Sequence, residues 1–269
     1  MPDTLALPVL AASALLFAVM AAVWATAVRI HNAGIVDIAW SANFSLLAVL
    51  YAALGGGFAP RRLLIGGMTL LWSVRLAAYL YRRVMGHHPL EDGRYRQLRR
   101  DWAPNANRRF FWFFQLQAAL NLVLAAPLLL ACANPWPGIR PSEWAGLAVW
   151  AVALAGESVA DRQLASFRHD PANRGKTCRV GLWRFSRHPN YFFEWLVWVA
   201  YFVFAVASPW GWVTAYCPAL MLFFLFRVTG IPVTEEQALK SRGEDYREYQ
   251  RTTSVFFPWF PGSGMGRPG

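Results

Sequence analysis

Residues Arg179–Trp195, which read RVGLWRFSRHPNYFFEW, gather cationic and polar groups directly ahead of an apolar run of membrane length. Gly181 permits a tight turn, and Pro189 suits the first position of a helix. A helix start presents free backbone N–H groups, and further donors lie beside this one at Arg184, Arg187 and His188. This combination is typical of a phosphate site. The positive flank of a membrane helix is an alternative explanation of the same arginines.

Two polar residues stand inside the apolar run itself. Asn190 and Glu194 are four residues apart, so both project from one face of the helix start. A positive flank does not account for them, whereas an amide or a ribose hydroxyl of a bound ligand would satisfy both. The stretch therefore predicts a site for a phosphate-bearing ligand.

The composition is that of a membrane protein. Of 269 residues, 56% are hydrophobic and 15% charged, and the net charge is +11. The arginines lie between apolar runs, where the positive-inside rule expects them, so we predict no nucleic-acid binding. Three cysteines without metal-ligand spacing predict neither a disulfide framework nor a metal site, and they are Cys132, Cys178 and Cys217.

Seven runs reach the length of about twenty residues that a membrane helix needs. We expect them near 6–28, 34–54, 62–82, 110–132, 142–161, 190–207 and 209–228. The loop Arg82–Arg109 holds eight arginines and the loop Arg162–Arg187 holds six with Lys176, so both are expected in the cytoplasm. The N-terminus is then outside and the tail 229–269 inside. The first run has no basic residue ahead of it and is too long for a signal-peptide core, which predicts a retained helix.

An ionisable side chain within a membrane span costs free energy unless it has an ion-pair partner or contacts water. Asp37 in the second run is therefore a functional candidate. In the third run Trp72, Arg75 and Tyr79 share one helix face. Asp37 and Arg75 are expected to be able to pair. This pattern fits a catalytic role for Asp37 and Tyr79. It also fits a structural ion pair between Asp37 and Arg75.

The fifth run ends in a polar stripe, because Glu157, Asp161 and Arg168 recur at helical spacing. Two carboxylates so close to the membrane require hydrogen-bond donors. A bound amide, ribose or adenine would supply them, and so would the neighbouring arginines. In the tail, Glu235 and Glu236 fall in the first turn of a helix, where its dipole favours acidic residues.

The stretches GLWRFSRHPNYFFEW, GESVADRQL and GEDYREYQRTTSVFFPWFP resemble bacterial membrane proteins related to steroid 5-alpha-reductase. VDIAW and HPLEDGRYRQLRRDW resemble an uncharacterised bacterial branch of that group, so the resemblance covers nearly the whole chain. Its central element, Arg-His-Pro-x-Tyr at 187–191, is shared with sterol reductases and with isoprenylcysteine and phospholipid methyltransferases. The resemblance implies one all-α membrane domain over 1–269, a bundle of seven helices in a bacterial inner membrane.

The resemblance also implies which residues hold a cofactor. The matching positions are Glu157, Asp161, Arg168, Arg179, Tyr191, Asn190 and Glu194, with Arg184, Arg187 and His188 in the basic stretch and Glu235 and Tyr246 in the tail. Glu157 stands where the steroid enzymes have Asn, and Phe193 stands where relatives commonly have Gly. Asp37 is the best match to a substrate-binding Glu, whereas the partner Tyr falls nearest Trp72. A histidine-rich segment of the animal enzymes is absent, with Glu235 and Glu236 in that vicinity.

The implied activity is reduction of a polarised carbon–carbon double bond of a lipid-like substrate by NADPH, with Asp37 or Tyr79 donating a hydrogen bond. Transfer of a methyl group from S-adenosylmethionine is the second hypothesis, supported by Glu235 and Glu236 ahead of Tyr246. The surplus of arginine favours NADPH over a cationic sulfonium. A lipid-binding protein without chemistry is the third. Membrane lipids are expected partners, and no obligate protein partner is evident.

Overall fold

The computed structural model describes residues 2–228 and 230–262. Within that part no strand occurs, and the helices are α1 Pro2–Ile30, α2 Ile35–Leu54, α3 Ala59–Met85, α4 Gly93–Asp101, α5 Ala106–Leu124, α6 Ala126–Ala133, α7 Pro141–His169, α8 Pro189–Ala205, α9 Tyr216–Phe223, α10 Ile231–Arg242 and α11 Glu244–Thr252. Shorter 3₁₀ and π turns lie at Pro171–Asn173, Gly181–Arg184, Gly211–Ala215 and Phe224–Val228. The all-helical prediction is confirmed. Residues 229 and 263–269 of the predicted tail lie outside the described residues.

Several long apolar helices fit an integral membrane protein, but fewer than predicted meet the length and composition of a span. Among the described residues these are Leu5–Ile30, Ile35–Leu54, Ala59–Met85 and Gly211–Arg242. The helices α5 and α6 make a fifth if the pair counts as one span. The seven predicted spans are therefore not confirmed.

The predicted run 110–132 is not one straight helix. It divides into α5 and α6, which are bent by 42°. Pro127 explains the break, since proline lacks the N–H of an internal helical bond and its ring clashes with the preceding turn.

The predicted runs 142–161 and 190–207 are helical but fall outside this set. α8 has only 17 residues. α7 has 29, but polar and charged residues interrupt its second half. An apolar run read along the sequence gives neither the helix length nor the site of a break, which is why the span count differs.

The chain forms two compact units. The first comprises the residues up to Glu143 with Ala205–Thr214, and the second comprises Trp144–Phe204 with the described residues from Ala215 onward. In the first unit α2 packs along α3, where the rings of Phe44 and Trp72 meet edge to face with their centroids 5.3 Å apart. α1 packs on α5, where Trp24 donates to the carbonyl of Asn107 at 2.8 Å.

A buried ion pair organises one end of the first unit. Arg61 and Glu143 are both fully buried and contact each other directly. The same guanidinium donates to the carbonyls of Asn134, Trp136 and Gly138 at 3.0, 2.7 and 2.7 Å. Because every charge there has a partner, the cost of burying the pair is offset.

In the second unit α7 and α8 run antiparallel. Asn190 contacts Asp161, and Phe193 one turn later packs on Gly156 one turn earlier. A side chain at Gly156 would meet that ring, since a Cβ there would lie 2.4 Å from its nearest atom. Glycine therefore lets the phenyl ring lie flat against α7, directly beside Glu157.

Candidate functional site

The polar stripe of α7 faces the start of α8. Glu157 and Asp161 are buried, at 4% and 8% exposure. The Asn190 amide donates to Asp161 at 3.3 Å. One turn further along α8, Glu194 accepts a hydrogen bond from the Trp198 indole at 3.1 Å. The structure thus brings two predicted cofactor residues, Asp161 and Asn190, into contact between α7 and α8, one turn from the contact of Phe193 with Gly156.

Arg187 lies at the predicted helix start but is engaged by protein groups. Its guanidinium donates to Glu235 at 2.7 Å and to the carbonyls of Gln250 and Thr253 at 2.9 and 2.8 Å. Its backbone N–H donates to the carbonyl of Ser254 at 2.8 Å. Arg187, which was predicted to face a phosphate, therefore ties the start of α8 to α10, to α11 and to the chain that follows α11.

Glu235 is the centre of this network. Besides Arg187 it accepts from His188 at 3.2 Å, from Gln250 at 2.8 Å and from Tyr246 at 3.4 Å. We call Arg187, His188, Glu235, Tyr246 and Gln250 the α8–α10 network. Glu236 is exposed and pairs with Lys240 at 2.5 Å. The two tail carboxylates thus have internal partners.

His188 is almost completely buried, and its ring stacks on Tyr191 with centroids 5.3 Å apart. Burial lowers the pKa of His188 and Arg187 lowers it further, which outweighs the opposing effect of Glu235. The neutral ring therefore donates its Nε2–H to Glu235. Tyr191 in turn shares a hydrogen bond with Thr234 at 3.1 Å.

The remaining predicted arginines differ in environment. Arg179 donates to Asp245 at 2.9 Å and to Glu248 at 3.1 Å, which binds it to α11. Hydrogen bonds from Thr177 and the charge of Arg179 overcome the effect of burial and lower the pKa of Asp245. Arg184 is exposed on the turn before α8.

Arg168 lies at a cavity of about 270 Å³ that we call the basic cavity. Four cationic side chains line it, those of Arg168, Arg174, Lys176 and Arg242, with Leu164, Phe167, Asn173, Gly175, Cys178 and Ser241 completing the wall. No carboxylate contributes to this lining.

The charge of the basic cavity is only partly compensated, because Arg242 interacts with Asp245 outside the lining and lies over the ring of Tyr246. Within the described residues none of its four cations makes a side-chain hydrogen bond or a close ion pair. Arg168 and Arg242 repel each other there. Because Arg168 continues the stripe of Glu157 and Asp161, the basic cavity lies at the end of that stripe. The rise from Glu157 to Arg168 is about 16 Å along α7.

Sequence reasoning missed most of this cavity. Arg174 and Lys176 belong to a loop whose charges also mark cytoplasmic topology, so charge count alone did not single them out. Arg242 ends α10, far along the chain, and no local spacing relates it to Arg168. Only the folded chain brings these residues together.

The two predicted catalytic residues belong to the first unit, whereas the cofactor candidates belong to the second. Asp37 accepts from the Tyr95 hydroxyl at 2.6 Å and from Arg94 at 3.2 Å. Burial raises the pKa of Tyr95 well above its ordinary value, and the charge of Asp37 adds to this rise. Tyr79 is half-buried on α3.

Tyr95 and Arg94 lie on α4, in the arginine-rich loop, and sequence reasoning did not connect them with Asp37. Glu91 reinforces the same attachment, because it accepts from the backbone N–H of Ala33 at 2.7 Å and from Arg99 at 2.8 Å. The loop before and within α4 is thus bound to the start of α2.

Comparison with known proteins gives a family and an uncharacterised relative. The family described as "Protein of unknown function (DUF1295)" has a model that matches residues 23–253. An uncharacterized protein of Schizosaccharomyces pombe is 27% identical over 274 aligned residues, covering 89% of this chain and 76% of the yeast protein. No solved structure matches the chain.

Proposed function

Because the chain belongs to the DUF1295 family of the steroid 5-alpha-reductase-like superfamily, we propose that it is a membrane-embedded, NADPH-dependent reductase. Its substrate would be a lipid-like molecule in which a carbonyl polarises a carbon–carbon double bond. The superfamily also contains methyltransferases, so membership does not choose the reaction. The side chains of this protein must therefore distinguish a reductase from a methyltransferase.

The basic cavity is the observation that carries the choice. Four cations without a carboxylate suit a ligand with several negative charges, and NADPH carries a diphosphate and a third phosphate. A cavity of one sign raises the local concentration of such a ligand. S-adenosylmethionine has a cationic sulfonium, for which the same cavity is repulsive.

The chain's own groups have distinct parts in this proposal. Arg168 and its cationic neighbours bind phosphate, while Asn190, Asp161 and Glu157 bind the amide and ribose end of the cofactor. NADPH supplies the hydride when bound. Phe193 lies against Gly156 beside this polar end and excludes water from it. The α8–α10 network positions the start of α8 and hence Asn190.

For the group that acts on the substrate carbonyl, we keep the two residues predicted from the sequence. Asp37 or the hydroxyl of Tyr79 would act at the substrate carbonyl, where negative charge develops. Tyr95, which contacts Asp37, would hold that carboxyl in place. We also propose seven spans in a bacterial inner membrane, with the N-terminus outside and the C-terminus in the cytoplasm.

The methyltransferase hypothesis has less support. It needs a carboxylate for the amino group of S-adenosylmethionine, but Glu235 accepts hydrogen bonds from four protein groups. Glu236 is exposed and paired with Lys240. A non-catalytic lipid-binding protein would have no need of the polar stripe of Glu157 and Asp161 or of Asn190 beside it.

Stabilisation by ligands in mild detergent tests the proposal. A ligand that binds only the native state raises the thermal midpoint, so NADPH should raise it and S-adenosylmethionine should not. Enone lipids should then be reduced with matching loss of NADPH. The opposite pattern, stabilisation by S-adenosylmethionine alone, would make the chain a methyltransferase.

Arg168→Ala tests the cavity directly. Loss of one charge-assisted bond should weaken NADPH ten- to more than a hundredfold, about 1.5 to 3 kcal/mol, measured by calorimetric titration. Arg162→Ala is the matched control, because Arg162 is a cation on the same helix that lines a different cleft. Equal affinities in the two variants would remove the basic cavity from the proposal.

A further inference from the structure

The segment that follows α11 carries an exposed aromatic face at residues 257–260. Phe257, Trp259 and Phe260 are 56%, 73% and 77% exposed. Three large aromatic side chains on one short segment form an apolar surface of the kind that marks an interaction site. This surface is separate from the basic cavity and from the polar stripe of α7.

The aromatic face is held rigidly by its backbone. Ser186 donates its hydroxyl to the carbonyl of Phe256 at 2.8 Å, and the N–H of Trp259 donates to the carbonyl of Phe185 at 2.9 Å. The N–H of Gly262 donates to Thr252 at 3.0 Å. The segment has no regular secondary structure, and these hydrogen bonds hold it along the turn before α8.

Its neighbours place the aromatic face beside the start of α8 and beside Phe226 of an apolar span. Phe256 is fully buried against Phe226, with centroids 5.2 Å apart, and against Phe192 at 5.7 Å. Phe226 belongs to the candidate span Gly211–Arg242, and Phe192 to the first turn of α8. Phe257 continues the same cluster onto Trp195 at 5.9 Å.

We propose that Phe257, Trp259 and Phe260 insert into the interface of the bilayer in which these apolar helices lie, so that the segment is a membrane anchor. Tryptophan and phenylalanine are enriched at that level of a membrane. Arg184 is exposed next to Phe185, whose ring contacts Phe260 at 5.8 Å, and it suits an anionic headgroup. This inference does not depend on the proposed reaction.

A fluorescent label on a single new cysteine tests the anchor. The three native cysteines are buried, so Trp259→Cys can be labelled selectively with an environment-sensitive dye. The substitution keeps the backbone N–H that contacts Phe185. The labelled chain is placed in nanodiscs of phosphatidylcholine and phosphatidylglycerol, and quenching by aqueous iodide is compared with quenching by a lipid that carries a nitroxide near its headgroup.

Arg247→Cys is the control, since Arg247 is 63% exposed on the polar α11. We expect the nitroxide lipid to quench the label at 259 severalfold more than the label at 247, and iodide to show the reverse order. Phe260→Cys should behave like Trp259→Cys. Equal iodide quenching at 259 and 247 would put the segment in water and overturn the proposal. Protection of 259 from both quenchers would overturn it too, because the face would then cover protein, such as a second copy.

Discussion

At the scale of single residues, Arg187 shows how a cation predicted to bind a ligand is used by the chain itself. Its side chain and that of Glu235 are 11% and 16% exposed. Arg187→Ala should lower the free energy of unfolding by about 3 kcal/mol, because it leaves the carboxylate of Glu235 in a largely buried site without its main partner. Unfolding by SDS titrated into a mild detergent measures this loss.

Arg187→Ala combined with Glu235→Gln is the control, and it should recover part of the lost stability. A variant as stable as the wild type would mean that Arg187 has no structural role, and the original prediction of a phosphate contact would regain its place. NADPH titration of the same variants gives the second readout. A fall in affinity without a fall in stability would assign Arg187 to the ligand.

His188 makes stability depend on pH. Its pKa is lowered from an ordinary value of 6.5 by burial, so the unfolded chain binds more protons than the folded chain between the two pKa values. This contribution is complete above pH 6.5 and is lost as the pH falls towards the lower, folded pKa. We expect His188→Gln, which cannot titrate, to reduce the fall in thermal midpoint between pH 7.5 and 5.5. An unchanged slope would contradict this assignment.

At the scale of helices, the packing of α7 on α8 depends on Gly156. Gly156→Ala should cost about 1 to 3 kcal/mol, because the new methyl group overlaps the ring of Phe193. In a Phe193→Ala background the same change should be almost neutral, and a double-mutant cycle measures this coupling. Gly67→Ala in α3 is the control, since no atom lies within 4 Å of its new methyl group. Equal costs of Gly156→Ala in both backgrounds would rule out the contact.

Periodicity predicted the helices well because it is a local property. The spacing of Glu157, Asp161 and Arg168 placed all three on one stripe of α7 without any knowledge of tertiary structure. Hydropathy did not reveal the bend at Pro127 or the length of α8. Those depend on backbone geometry and on where each helix ends, which an apolar run does not specify.

At the scale of the whole molecule, the site was only partly predictable. The residues Asn190 and Asp161 were both identified, and the structure brings them into contact. The cavity beyond them needs Arg174, Lys176 and Arg242, which come from a loop and a distant helix. Two partners of Asp37 were not identified for the same reason, because Tyr95 and Arg94 reach it from another element.

The predicted catalytic residues belong to the first unit and the predicted cofactor residues to the second, so substitutions can test the two roles one at a time. Asp37→Asn should therefore lower the turnover of an enone while leaving the affinity for NADPH unchanged, since it removes the carboxylate proposed to act on the substrate and alters none of the cofactor candidates. Tyr79→Phe tests the alternative donor in the same assay. Turnover rates and calorimetric affinities separate the two effects. A parallel loss of affinity in Asp37→Asn would contradict the separation.

The attachment of the chain after α11 also sets an order of events during synthesis. The carbonyls of Gln250, Thr253 and Ser254 hold Arg187, and Trp259 holds Phe185, so the turn before α8 acquires these partners only once the ribosome has passed residue 259. Until then α8 can leave the ribosome, but the turn before it lacks these hydrogen-bond partners. These contacts of the second unit therefore form only after residue 259 has been translated.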